Sequence, residues 1–176
     1  MARYFTTYWT HDQLRLPERY RFDRSGSNAY RRAGVESGDV VYVFSIRAGQ
    51  VYLGGRMVVD EIVSRTEAIR RSGNHALAKV REWILAKPRT ATVIRNRRLD
   101  PSIARKLLFG ENGRRQKILF FEPGSKNKVD RQALRGVRRL DRSSADLLDR
   151  IIRDTDTTPH ATEILVTPTE VRYRRN

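Results

Sequence analysis

One stretch constrains this chain more than any other: Asp39 to Ile46 (DVVYVFSI) and Gln50 to Val63, joined by Arg47-Ala48-Gly49. Two runs rich in β-branched and aromatic residues, separated by a short glycine-bearing turn, predict a β-hairpin. Gly54-Gly55 interrupts the second run. A glycine pair inside a strand marks a bulge, a tight barrel corner or the close approach of another backbone. A hairpin of this kind must bury at least one face, so the rest of the chain has to supply a cover.

The remaining segments read as short strands with small helices between them. Arg3 to Trp9 is a strand, with Tyr4 and Tyr8 on one face and Phe5 and Trp9 on the other. Ser25-Gly-Ser-Asn28 reads as a helix start, with Ala29, Tyr30 and Ala33 facing inward and Gly34 as the stop. Thr66 to Arg71 predicts one or two helical turns. Ala76, Leu77, Val80, Trp83 and Ile84 then recur at helical spacing. Thr90 to Arg97 returns to β character, and Asp100-Pro101 is an N-cap followed by a first-turn proline. Lys117 to Glu122 reads as an interior strand, and Leu134 to Leu140 alternates weakly. Ser143 is expected to open a helix carrying Leu147, Leu148, Ile151 and Ile152. Beyond Asp154 the composition turns to Thr, Asp and Pro, then to a strand-like Glu163–Val166 with Val171–Tyr173 and a basic end. The expected organisation is one domain over 1–153 and a linker with a basic tail over 154–176. With no regular βαβ alternation, the fold class is α+β: a curved, mostly antiparallel barrel with small flanking helices.

Charge sets the partner. The 176 residues carry 36 Lys+Arg against 20 Asp+Glu, a formal +16, and 32% are charged. So lopsided a balance repels itself on folding and points to a polyanion. Lysine occurs only at 79, 87, 106, 117, 126 and 128; the remainder is arginine, whose planar fork suits phosphate oxygens and base edges. Arg31, Arg32, Arg95, Arg97, Arg98, Lys126 and Lys128 are the candidate phosphate contacts. The absence of cysteine excludes zinc ribbons, thiol catalysis and disulfide scaffolds. No apolar run suits a signal peptide or a membrane span, so a soluble, cytoplasmic protein is expected.

Catalytic signatures are sparse. His11, His75 and His160 are scattered, and neither a P-loop nor a GxSxG elbow occurs. A metal-dependent nuclease wants clustered carboxylates and often a nearby lysine; Asp60-Glu61 is followed by Val63, where such a lysine would stand. Asp12, Asp39 and Asp100 are left as carboxylates that only the fold could bring together. No metal and no cofactor is expected, and binding rather than catalysis is the reading. Aromatic side chains beside a basic surface are what stacking on an unpaired base requires.

The order of segments resembles the EVE domains of the PUA-like superfamily, which also holds the YTH, ASCH and SRA readers. The resemblance rests on the opening strand ending in Tyr8-Trp9, on Ser25 to Asn28, and on Ala33-Gly-Val-Glu-Ser-Gly-Asp39 entering a strand. Val51 to Val59 and the late Val137-Arg-Arg-Leu-Asp-Arg-Ser-Ser complete it. It covers residues 3 to 152, with 64 to 130 matching only in outline. The resemblance implies a partly open barrel with a pocket for one flipped base, walled by Trp9, with Ser27 and Asn28 supplying polar groups; Tyr30 and Trp83 complete the candidate pocket. It implies a reader of methylated or hydroxymethylated cytosine in DNA, linked to modification-dependent restriction. No nuclease module is joined to it here, so a separate nuclease chain is one expected partner. An RNA-binding module acting on tRNA or rRNA, and a small metal-dependent nuclease, are the alternatives.

Overall fold

A computed structural model describes residues 2–10, 23–72, 80–110, 116–117, 128–129, 132 and 134–156; for 72, 93–96, 116–117 and 155–156 only the backbone is described. Nine strands form one sheet: β1 (Tyr4–Tyr8), β2 (Arg24–Ser27), β3 (Val40–Arg47), β4 (Gln50–Ser64), β5 (Glu82–Ala86), β6 (Thr92–Arg98), β7 (Leu108–Phe109), β8 (Gln116–Lys117) and β9 (Val137–Leu140). Three helices accompany them among the described residues: α1 (Arg65–Ser72), α2 (Pro101–Ala104) and α3 (Arg142–Asp156). The strand order is β2-β5-β4-β3-β1-β9-β7-β8, with β6 beside β4 as a branch. Only β1 against β3 is parallel among the described strands, so the expectation of a mostly antiparallel α+β sheet holds. No described helix is long and apolar enough to cross a membrane.

The hairpin predicted from sequence is the centre of the sheet. Arg47 pairs with Gln50 around a two-residue turn in which Ala48 has φ +49 and Gly49 φ +74. Two successive positive φ values give the turn the twist that antiparallel strands need. The Gly54-Gly55 interruption is a bulge. Val43 pairs with Gly55 and Phe44 with Leu53, which leaves Gly54 as the extra residue. The register against β6 shifts at the same place, but there residues 94–96 stand opposite Gly54, so β6 carries the excess.

An extra residue reverses the alternation of a strand. Before the bulge, Val51 and Leu53 pack with Tyr42 and Phe44 under the helices; after it, Met57 and Val59 pack with Val41, Val43 and Phe5 on the opposite face. A second slip, at Asp60 between Val59 and Glu61, turns the strand again. Ile62 now joins the Met57 face and Val63 packs with Ala68 of α1. The sheet therefore has two cores. One lies under α2 and α3, and the other fills the concave side of the curl.

α3 seals the first core with Ala145, Leu148 and Ile152. A polar clamp fixes its rotation: the buried Tyr42 hydroxyl donates to Asp149 Oδ1 at 2.7 Å, and Arg56 Nη1 donates to Asp149 Oδ2 at 2.7 Å. At the start of β1 and β3, Asp39 accepts from Arg3 N, Nε and Nη2 and from Glu36 N.

Several local expectations are corrected. Ser25 to Ser27 lie in strand β2, not at a helix start, because Gly26 pairs with Trp83 of β5. Ala29 to Val35 then make a single helical turn, with Ala33 N donating to Ala29 O at 2.9 Å. Trp83 and Ile84 alternate across β5 rather than sharing a helix face, since pairing with β4 overrides their helical spacing. Asp141 caps α3 in place of Ser143: its Oδ1 accepts from Ser143 N at 2.9 Å. α3 runs past Asp154 to Asp156, and the expected strand in the tail lies outside the described residues. Of Lys117 to Glu122, only Lys117 is described, in β8. The Asp100 cap stands as expected, accepting from Ser102 N at 2.7 Å.

Ala48 occupies a left-handed position that glycine or asparagine takes more readily. Replacing Ala48 with Gly is expected to stabilise the protein by about 1 kcal/mol, raising the midpoint of thermal unfolding by roughly 2–4 °C. An unchanged or lower midpoint in calorimetry would show that the turn carries no such strain.

Candidate nucleic-acid interface

Strands β1 and β2 are not neighbours by backbone hydrogen bonding, yet the curl of the sheet brings them together. Side-chain hydroxyls bridge the seam. Trp9 Nε1 donates to Ser25 Oγ at 2.7 Å. Tyr30 OH lies 2.7 Å from Ser25 Oγ and 3.1 Å from Thr7 Oγ1. Ser25, Thr7 and Tyr30 are all buried, and burial pushes the Tyr30 phenol up to about 12, against hydrogen bonds from Ser25 and Thr7 that pull it down. A phenolate is disfavoured where there is no water to solvate it.

The order of donors in this chain is partly dictated by chemistry. An indole N–H can only donate, so Ser25 Oγ must accept from Trp9. The tyrosine hydroxyl has a single proton to place on Ser25 or Thr7. The result is a fixed polar strut that holds the Trp9 ring at the rim of the concave core, half-buried against Phe5 and Tyr30.

A row of side chains crosses the sheet at that level. Trp9 N donates to Phe44 O at 2.8 Å, extending the parallel ladder so that Trp9 stands beside Ser45. Ser45 pairs with Tyr52, and Tyr52 pairs with Arg98. Directly paired residues share a face, so Trp9, Ser45, Tyr52 and Arg98 follow one another across four strands on the concave side. Ser45 is fully buried, and its hydroxyl has no hydrogen-bond partner among the described residues. An unsatisfied buried hydroxyl costs about 1–3 kcal/mol, which a ligand atom could recover.

The other expected site residues divide. Tyr30 is wholly enclosed and acts as the strut. Ser27 Oγ accepts from Ala29 N at 3.2 Å, tightening the turn. Asn28 is neither a helix cap nor beside Trp9: its Oδ1 accepts from Arg81 N at 2.8 Å and ties the turn to the start of β5. Trp83 faces away from Trp9, packed with Val63 and Ala68. A Cβ on Gly26 would stand 2.8 Å from its ring.

Arg31 lies near the far end of β4, where Nη2 donates to Ile62 O at 2.9 Å, and Arg32 is exposed beside it. Arg97 and Arg98 are exposed at the opposite stretch of β4, beside Leu53 and Tyr52, so the expected phosphate contacts form two groups. Lys128 is exposed over the hairpin turn, where Val129 N donates to Gly49 O at 2.7 Å. The Arg95 side chain and Lys126 lie outside the described residues. Sequence reasoning missed Thr7, Ser25 and Ser45. The signal was present: each is a small hydroxyl residue at an inward position of a strand.

The carboxylates are engaged in structure. Asp39 holds Arg3, Asp100 caps α2, Asp149 clamps α3 and Glu61 binds Arg71. Asp12 and all three histidines lie outside the described residues, among which no three metal-ligating side chains of His, Asp or Glu converge.

The raised Tyr30 value fixes a sign. Unfolded tyrosine ionises near pH 10, folded Tyr30 near 12. Its contribution is therefore complete below pH 10 and falls by up to about 1.4 kcal/mol per pH unit between those values. In urea unfolding at pH 9, 10 and 11, Tyr30→Phe should begin less stable than the parent and decline less steeply. Parallel declines would show that Tyr30 ionises as freely folded as unfolded. No protein-family model matches the chain and no curated protein matches it, so the reading of this surface rests on its own chemistry.

Proposed function

We propose that this protein is a nucleic-acid-binding module of PUA-like type that admits one unstacked base to its concave side and performs no chemistry on it. The observation that carries the reading is the buried, unpartnered Ser45 hydroxyl between two aromatic residues, Trp9 and Tyr52, with Arg98 at the end of the row. A base needs this combination: a π-face to stack on, a hydroxyl that can donate or accept at its edge, and a cation for the adjoining phosphate. The net charge of +16 supports a polyanionic partner. The commitment of Asp39, Asp100 and Asp149 to structural contacts supports binding over hydrolysis.

A cytosine modified at its 5-position, in DNA, is the base this reading favours, and a separate nuclease chain is the partner through which recognition would lead to restriction. The test is fluorescence anisotropy with matched oligonucleotides carrying cytosine, methylcytosine or hydroxymethylcytosine, on DNA and RNA backbones, across a salt series. Trp9→Ala should cost about 1–3 kcal/mol for the preferred oligonucleotide and little for the others. Ser45→Ala should stabilise the free protein while erasing the preference. Arg97→Ala with Arg98→Ala should weaken all oligonucleotides alike and flatten the salt dependence by roughly 0.9 per lost duplex contact. Equal losses on every oligonucleotide in the Trp9 variant would remove the base pocket, and stronger binding to RNA of the same sequence would replace the DNA assignment.

A further inference from the structure

β5 and β6 run along the same side of β4 in the same direction, β5 against Val59–Ser64 and β6 against Arg56–Tyr52. They amount to one long strand broken in the middle by Lys87-Pro88-Arg89-Thr90. Lys87 N still donates to Val58 O at 2.8 Å; the chain then leaves the ladder and returns, with Thr90 N and Oγ1 donating to Lys87 O at 3.2 and 2.8 Å. The result is a knuckle standing out from the sheet edge.

Arg89 sits in that turn with φ +61, a left-handed conformation glycine or asparagine takes at least cost. Proline at the preceding position holds the turn in place. The arginine side chain is exposed and makes no hydrogen bond or ion pair among the described residues, so no internal contact explains why the position carries it. Lys87 is likewise exposed and unpaired there.

From the knuckle, β6 leads to Arg97 and Arg98 and on to Lys128 at the hairpin, all exposed; none is in a salt bridge among the described residues, and Asp100 is the one carboxylate whose charge Arg98 feels. No described strand pairs with the outer edge of β6. On α1 the arrangement is the reverse: Arg70 and Arg71 are both held by Glu67, and Arg71 by Glu61 as well.

We propose that the Lys87–Thr90 knuckle and the outer edge of β6 form a rail for the sugar-phosphate backbone, running from Arg89 to Arg98 at the rim of the concave face. The proposal rests on the nucleic-acid reading above and adds its path across the protein. β6 spans the stretch of β4 from Arg56 to Tyr52, about 13 Å at roughly 3.3 Å per step. That length faces on the order of four phosphates of one strand of a duplex, with Arg89 extending the rail beyond it. Arg89 is the far anchor, its backbone strain retained because the side chain has to point outward.

The variant that separates this from a structural role is Arg89→Gly. It should raise the thermal midpoint, by relieving the turn, and at the same time weaken binding several-fold to modified and unmodified oligonucleotides alike. Arg89→Gly with Lys87→Ala should lower the slope of log K against log salt by about 1.8 on duplex DNA, and about 1.4 on single strands of DNA or RNA. Arg70→Ala with Arg71→Ala serves as the control and should leave the slope unchanged. Greater stability with unaltered affinity and slope in Arg89→Gly overturns the rail, as does an equal slope change in the Arg70/Arg71 control. If the parent protein binds neither DNA nor RNA at any salt concentration, the underlying nucleic-acid reading fails and the rail goes with it.

Discussion

Strand β4 holds the architecture together because, among the described strands, it alone pairs with three others, and it can do so only by changing face twice. Its two irregularities, at Gly54 and Asp60, each shift the alternation by one residue. Without the first, Met57 and Val59 would point toward α3, and Arg56 would point into the concave core. With it, Arg56 meets Asp149 and Met57 meets Val41. The register slip thus decides which side chains form each core, whether the α3 clamp can close, and how sharply the sheet curls. Gly55 adopts φ +147 at this corner, a conformation in which a side chain would be strained.

The curl leaves a gap that backbone hydrogen bonds do not fill. Between β1 and β2 the sheet is joined by Thr7, Tyr30, Ser25 and Trp9, a polar contact embedded in apolar surroundings. Such a seam is specific in a way an apolar one is not, because each hydroxyl must find its partner or bear the cost of being buried without one. It also places an aromatic ring at the rim beside the one buried hydroxyl that the described residues leave unsatisfied. Closing the fold and building the candidate site are one arrangement of residues.

The central hairpin, its bulge and the Asp100 cap could be read from sequence because each depends on neighbours within a few residues. The segments misread were those whose structure depends on distant partners. Ser25-Gly-Ser-Asn28 has the composition of a helix start, but pairing with β5 makes it a strand. Trp83 and Ile84 continue a helical spacing from Val80, but β4 draws these two into its ladder. The same limit applied to the site. Trp9 stood out as an aromatic closing the first strand, and its shared face with Phe5 was assigned correctly by alternation. Ser45 lies in an apolar run, and only the pairing of β1, β3, β4 and β6 shows what it stands beside. Trp83 was a second pocket candidate whose helical spacing also suited burial, and the register put it on the other side of the sheet, packed with Val63 and Ala68.

Charge explains how a chain carrying a formal +16 can fold and still present a basic surface. Its acidic residues are placed at structural junctions: Asp39 joins the starts of β1 and β3, Asp149 fixes α3, and Glu67 with Glu61 binds the end of α1. Hydrogen bonds from Arg70 and Arg71 hold the Glu67 carboxyl down at about 2, so that junction remains ionised across the whole physiological range. Each such pair removes an arginine from the outer field. Among the cations left outside these salt bridges are Lys87 and Arg89 of the β5–β6 turn and Arg97 of β6, together with Arg32 and Lys106 elsewhere on the surface. Exposed ion pairs stabilise a fold only slightly, so their distribution is better understood as sorting. Cations needed for folding are neutralised where they stand, and the excess stays exposed, part of it at the β6 end of the row that Trp9 begins on β1.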